Sequence, residues 1–320
     1  MELNSNKIIT VAAFTGEGNW QQNNIIKLNM LIYFVFLTNI VCYSQTTLSG
    51  RVLEADTKKP LSYVNIGIVP FEYDNFKKGI ILDAIMNGTI HLKAFFDTGA
   101  NGLALSPNFS KHKTDKKTVT PFKLQVGNWF YEQPSIGYLN NQFLFDFHGC
   151  NLLLGYVFFK GKIIEISFEH HYIRELENTE DLGCYDKIPF KLLNERLLLV
   201  KGKASIKGKT VEGEFIIDTG YNGTMEISSS LIKKYNISTK DDFEFKSVRI
   251  TKKVKNVRSN ADTIQIGCNY ITNTIAFLET EDTTQYGKVI DGLIGNKFFD
   301  NFSVVLDLKN NYLYLKPIEK

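Results

Sequence analysis

The sequence predicts a mostly β protein made of two similar barrel-like lobes in one chain, preceded by a short hairpin. Three observations lead there. Long stretches alternate apolar and polar residues with period two, the pattern of half-buried strands. Ordered anchors recur in the two halves, which indicates duplicated lobes. The octet "FFDTGANG" (Phe95–Gly102) also has a second version, "FIIDTGYNG" (Phe215–Gly223).

Bulk properties set the frame. The chain has 320 residues, 43% apolar and 13% aromatic, enough for one large domain or two of ordinary size. Lys and Arg number 37 against 34 for Asp and Glu, a net +3, so the charge balance gives no reason to expect a nucleic-acid partner. No stretch after residue 50 is long and apolar enough to span a bilayer.

The first 44 residues form an extension and signal. "KLNMLIYFVFLTNIVCYSQ" carries Lys27, then about 13 mostly apolar residues, then Cys42-Tyr43-Ser44. Its length and flanks predict a secretory signal cleaved after Ser44, and hence export to the periplasm or the exterior. Met30 is an alternative start, because the residues before it are polar for such a leader. The other readings are a buried strand and a lipid-modified Cys42, which Ile40-Val41 fit poorly. Residues 45–68 predict a hairpin around "DTKKP", similar to the opening of carboxypeptidase-regulatory-like modules but too short to be one.

The repeat is read anchor by anchor. Pro70-Phe71 and Pro189-Phe190 lie 119 positions apart, and Asp97 and Asp218 lie 121 apart. "LQVG" (Leu124–Gly127) matches "IQIG" (Ile264–Gly267) at an offset of 140. "LLLGYVFF" (Leu152–Phe159) with "GLIGNKFF" (Gly292–Phe299), and "IEISFEHHY" (Ile164–Tyr172) with "VVLDLKNNY" (Val304–Tyr312), keep the same 140. The lobes are therefore expected over 69–178 and 188–320, joined by a polar linker at 179–187. The second lobe carries 19 additional residues between its DTG and its IQIG.

Within the lobes, Ile80–Ile85 and Ile90–Phe96 predict strands joined through Asn87-Gly88, a strong hairpin signal. Leu197–Ile206 and Val211–Ile217 predict the same device around Lys207-Gly208-Lys209. Leu231–Asn236 predicts a short helix capped by the serines before it.

A single Asp-Thr-Gly is ordinary turn chemistry and arises by chance in about one chain in fifteen of this length. Two copies, each after an apolar strand and each followed by a hydrophobic-hydrophobic-Gly strand, resemble the aspartic proteases. The nearer resemblance is to the bacterial retropepsin-like group, in which one chain carries both lobes with a cleft between them. It covers roughly residues 69–318. It implies that Asp97 and Asp218 are catalytic and that Thr98 and Thr219 brace the two loops against each other. It also implies that Gly155 and Gly295 cross beneath those loops.

The chemistry suits these residue types. Two carboxyls face to face cannot both ionise, so one keeps a proton while the other acts as base on a shared water. Gly99 and Gly220 leave room for backbone amides to approach the carboxyls. The resemblance implies a secreted aspartic endopeptidase that acts on a peptide or protein as a monomer and needs no cofactor or metal. The second reading is a non-catalytic peptide- or glycan-binding module on the same scaffold. After each DTG comes a cleft-shaping position: Ala100 is small, as the family prefers, whereas Tyr221 is bulky and is expected to narrow the cleft.

Other features are weaker. His170-His171 beside Glu169 align with Asn310-Asn311, so a hairpin turn explains them better than a metal site. Three cysteines follow the signal, Cys150, Cys184 and Cys268, which allow one bridge at most and contain no CxxC pair. The basic run "KSVRITKKVKNVR" (residues 246–258) sits in the insertion and predicts a solvated hairpin that controls access to the cleft.

Overall fold

The computed structural model describes residues 9–11, 52–54, 67–74, 76–77, 79–111, 118–119, 121–240, 242–248, 253–280 and 290–318. The expected signal segment and most of the expected 45–68 hairpin lie outside them. Ile9–Val11 and Val52–Glu54 pair antiparallel within a unit of their own, and Val69–Lys320 forms a second unit. Among the described residues no helix is long and apolar enough to cross a membrane.

In the first lobe Ile80–Met86 and Ile90–Asp97 run antiparallel, with Met86 opposite Ile90. Asn87 (φ 51°) and Gly88 (φ 76°) both take the left-handed conformation, and with Thr89 they make a three-residue connection between the strands. The second lobe has the matching hairpin of Leu197–Ile206 and Lys209–Ile217 around Lys207 (φ 51°) and Gly208 (φ 71°). The second strand starts two residues before the expected Val211, because Lys207 and Gly208 complete the turn without Lys209.

The duplication is visible in three dimensions. Gly127 and Gly267 are both left-handed, and Gln125 and Gln265 each donate a side-chain hydrogen bond to the glycine carbonyl two residues on, at 3.0 and 2.7 Å. A methyl on Gly127 would collide with Val69, and one on Gly267 would lie 2.7 Å from Ile188 Cγ1. Val69 and Ile188 are the matched opening residues of the two lobes. Each turn thus anchors the start of its own lobe.

A six-stranded sheet joins the lobes, in the order Val69–Tyr73, Tyr172–Glu175, Ile163–Ser167, Phe302–Asp307, Tyr312–Pro317, Asp186–Leu193. At its centre Glu165 lies opposite Val305, Ile164 opposite Leu306 and Ile166 opposite Val304. Glu165 and Val305 are equivalent in the repeat, so a local two-fold axis passes between them. His171 (φ 54°) and Asn311 (φ 64°) hold matching hairpin turns on either side. The strand Asp186–Leu193 begins inside the segment expected to be linker, because Asp186 already pairs opposite Leu315.

One continuous hydrophobic core runs through both lobes. Phe96, Phe122, Phe159, Phe215, Phe298 and Phe299 are its largest fully buried members. Helices are few. Ser229–Lys234 is capped by Ser228, whose hydroxyl accepts from Leu231 N at 3.3 Å, and it starts two residues earlier than expected. Gln142–His148 was not expected from the periodicity. Its signals are Asn141 at the N-cap, accepting from Leu144 N at 3.2 Å, and the left-handed Gly149 after it. Cys150, Cys184 and Cys268 are all free thiols. Burial pushes the Cys150 thiol up to about 12, which makes it inert.

Candidate active site

Each DTG sits at the mouth of a closed strand crossing. Ile90–Asp97 is flanked by the parallel strand Leu152–Gly155, which also pairs antiparallel with Leu103–Leu105. Lys209–Ile217 is flanked in the same way by Gly292–Ile294, which pairs antiparallel with Met225–Ile227. Both glycines behind the loops are sterically required. A methyl on Gly155 would lie 2.5 Å from the Ala100 carbonyl oxygen, and one on Gly295 would lie 2.5 Å from that of Gly223. Their backbones tie the loops down: Gly155 N donates to Gly102 O and Gly295 N to Thr224 O, both at 3.0 Å.

The two loops are locked reciprocally. Thr98 N donates to Thr219 Oγ1 and Thr219 N to Thr98 Oγ1, each at 3.0 Å. The hydroxyls then donate across the interface, Thr98 Oγ1 to Ile217 O at 2.6 Å and Thr219 Oγ1 to Phe96 O at 3.0 Å. Both threonines are buried, at 0% and 2% exposure, so these bonds are shielded from water. Asn296 Nδ2 adds a bond to Thr219 O at 2.6 Å. Sequence reasoning missed that residue, which follows Gly295 where the first lobe has Tyr156.

The lock brings the carboxyls of Asp97 and Asp218 face to face, where they hydrogen-bond to each other. Gly99 N and Ala100 N donate to Asp97 Oδ1 at 2.8 and 3.1 Å, and Gly220 N donates to Asp218 Oδ1 at 2.9 Å. Burial raises the proton affinity of Asp97, against the opposing pull of its bonds from Asp218, Gly99 and Ala100. Asp218 is raised well above the ordinary carboxylate value, first by burial, then by the charge of Asp97 and the bond to it, with Glu226 adding to the effect. A pair so arranged holds one proton between two carboxyls.

All ten residues singled out in the sequence therefore lie in one place: the two aspartates, their threonines and glycines, Gly155, Gly295, Ala100 and Tyr221. Ala100 is buried in a small apolar cluster with Phe95, Phe145 and Leu153. Tyr221 packs against its own lobe. Its ring lies back against Gly223 and Gly295 and meets Phe277 edge-on at 6.3 Å, with its hydroxyl buried. Its bulk packs the second loop within its own lobe.

No family model matches the chain, and no curated protein matches it. Among solved structures it is similar to the aspartic proteinase from Irpex lacteus, at 15% identity and a TM-score of 0.53, over 79% of this chain and 97% of that one. The fold is pepsin-like and two-lobed. At this identity the likeness speaks for the fold, and the site stands on its own geometry.

The basic insertion is a hairpin, as expected. Phe243–Val248 pairs antiparallel with the start of Lys253–Ile266, Val248 opposite Lys253, and residues 249–252 lie outside the described residues. Its boundaries need correction. Asn256 and Val257 are 1% and 3% exposed and pair opposite Glu279 and Leu278, so the insertion is embedded in the lobe from there on. Phe245 meets Phe277 edge-on at 5.3 Å, which links the hairpin base through Phe277 to Tyr221.

Proposed function

We propose that this chain is an exported aspartic endopeptidase of the bacterial retropepsin-like kind, with Asp97 and Asp218 as its catalytic residues. The observation that carries the proposal is the buried, hydrogen-bonded carboxyl pair at equivalent positions of two lobes. Ionised Asp97 takes a proton from a shared water, which attacks the peptide carbonyl. Protonated Asp218 donates to the carbonyl oxygen as negative charge develops there. The backbone amides of Gly99 and Ala100 hold the base in place, and no cofactor is needed.

Both lobes come from one chain, so the protein works as a monomer on peptide or protein substrates. Tyr221, turned into its own lobe, supports hydrolysis over a binding module that has lost it. The pro-export reading rests on the apolar segment ahead of Ser44.

Replacing Asp97 or Asp218 by Asn, with peptide cleavage followed from acid to neutral pH, tests the pair. Folded variants should lose cleavage, and a statine-type inhibitor should block the wild type, because it mimics the transition state. Cleavage that survives either substitution removes the proposal.

A further inference from the structure

Tyr156 follows Gly155 as Asn296 follows Gly295, and the two backbones act alike. Tyr156 N donates to Ala100 O at 3.1 Å, and Asn296 N donates to Tyr221 O at 2.9 Å. Their side chains part company. Asn296 Nδ2 turns to Thr219 O of its own loop, at 2.6 Å. Tyr156 is buried, and its hydroxyl crosses to the second lobe, where it donates to the carbonyl of Glu195.

That carbonyl belongs to an unusual turn. Residues 194–196 connect Asp186–Leu193 to Leu197–Ile206, and Arg196 N donates to Leu193 O at 3.0 Å. Asn194 (φ 51°) and Glu195 (φ 56°) are both left-handed. Asparagine accepts that conformation readily and glutamate does not, so the turn persists where its surroundings hold it. The Tyr156 hydroxyl is such a hold. From Tyr156 a chain of hydrogen bonds leads to the carboxyl pair: its N–H holds Ala100 O, and Ala100 N donates to Asp97 Oδ1 at 3.1 Å.

We propose that Tyr156 is a positioning residue for Asp97: braced on Glu195 of the second lobe, it fixes the backbone that aims the Ala100 amide at the Asp97 carboxyl. The inference rests on the protease reading and deepens it. Ala100 is gripped from both sides, its carbonyl by Tyr156 N and its amide by Asp97. Without the brace the Tyr156 backbone is free to shift, and a hydrogen bond weakens steeply once it is misaligned. The second loop has no such dependence on the opposite lobe through Asn296, whose amide bonds within it. One lobe thus helps to set the catalytic geometry of the other.

The test is Tyr156→Phe in the full chain, which keeps the buried ring and removes only the hydroxyl. Amide NMR reads the first loop directly and does not depend on cleavage. In the wild type the Ala100 amide should exchange slowly with solvent. In Y156F it should move upfield and exchange about tenfold faster, while the Gly220 amide on Asp218 stays as it was. Peptide cleavage should show kcat lowered about threefold to tenfold, the loss of one hydrogen bond, with KM within about twofold of the wild type. An unmoved Ala100 amide in folded Y156F overturns the inference, and so does a raised KM at unchanged kcat. A wild-type Ala100 amide that exchanges as fast as an unbonded one overturns it even if the variant does not fold. Cleavage that survives Asp97→Asn would instead remove the protease reading, leaving the amides to judge Tyr156 alone.

Discussion

Gly99 and Asp218 are packed so closely that no side chain fits between them: a methyl on Gly99 would lie 2.7 Å from Asp218 Cγ and from Oδ2. The converse holds for Gly220, where a methyl would lie 2.5 Å from Asp97 Cγ. Each loop's glycine is the seat of the other loop's carboxyl. Gly99→Ala or Gly220→Ala should therefore push the carboxyls apart and lower kcat/KM by about a hundredfold, as expected for a displacement near 1 Å. Unchanged kinetics in either variant would contradict the packing.

The threonine lock should matter for stability as well as geometry. Thr98→Val or Thr219→Val keeps the shape but leaves a buried amide and a buried carbonyl without their partners. Each substitution should cost about 1–3 kcal/mol in denaturant unfolding. The two hydroxyls make four different bonds, so the double variant should cost about the sum of the two, and any departure from it measures how far the halves of the lock support each other.

The raised Asp218 gives stability a sign that can be checked. In the folded chain its proton is held above the ordinary value of 3.8, so the unfolded chain ionises first as pH rises. Folding stability from this group is fully present below 3.8 and is lost between there and the raised folded value. Asp218→Asn should be more stable than the wild type at neutral pH, and the gap should close in acid. Melting curves across pH would show it, and a gap independent of pH would refute it.

His148 works in the opposite direction. It stacks on Phe95 at 3.9 Å, and burial, with Lys77 second, lowers it from 6.5 to about 4. The unfolded chain takes up the proton first as pH falls, so stability is lost from about 6.5 downward. His148→Phe should flatten the acid side of the melting-temperature profile between those values. A profile as steep as the wild type's would count against this.

The basic hairpin should govern substrate preference. Its base contacts Phe277, which contacts Tyr221 beside the second loop. Replacing residues 247–254 with Asn-Gly keeps Asn256 and Val257 in the lobe and closes the strands with a compatible turn. KM and the preference for acidic peptides should change, more at low salt, while turnover persists. Unchanged preference would assign the hairpin no role in recognition.

Much of this protein was legible in its sequence because the signals are local. Strand periodicity, the Asn87-Gly88 and Lys207-Gly208 turns, and the 140-residue offset each need only a few neighbouring residues to be read. The duplicated DTG, with Gly155 and Gly295 downstream, placed the candidate site for the same reason: close approach of backbone admits only glycine, whatever the rest of the chain does. Other features depend on partners far away in the chain. A glutamate between Met225 and Ile227 reads as one face of a strand until the fold buries both faces. Asn296 reads as a loop residue until its amide meets Thr219, 77 positions earlier. The ring of Tyr221 could point to either side of its loop, and packing against Gly223, Gly295 and Phe277 decided which. The sequence alone determined the two lobes and the pair of aspartates; the tertiary structure decided their unequal surroundings, because burial and electrostatic reach arise only where distant segments meet.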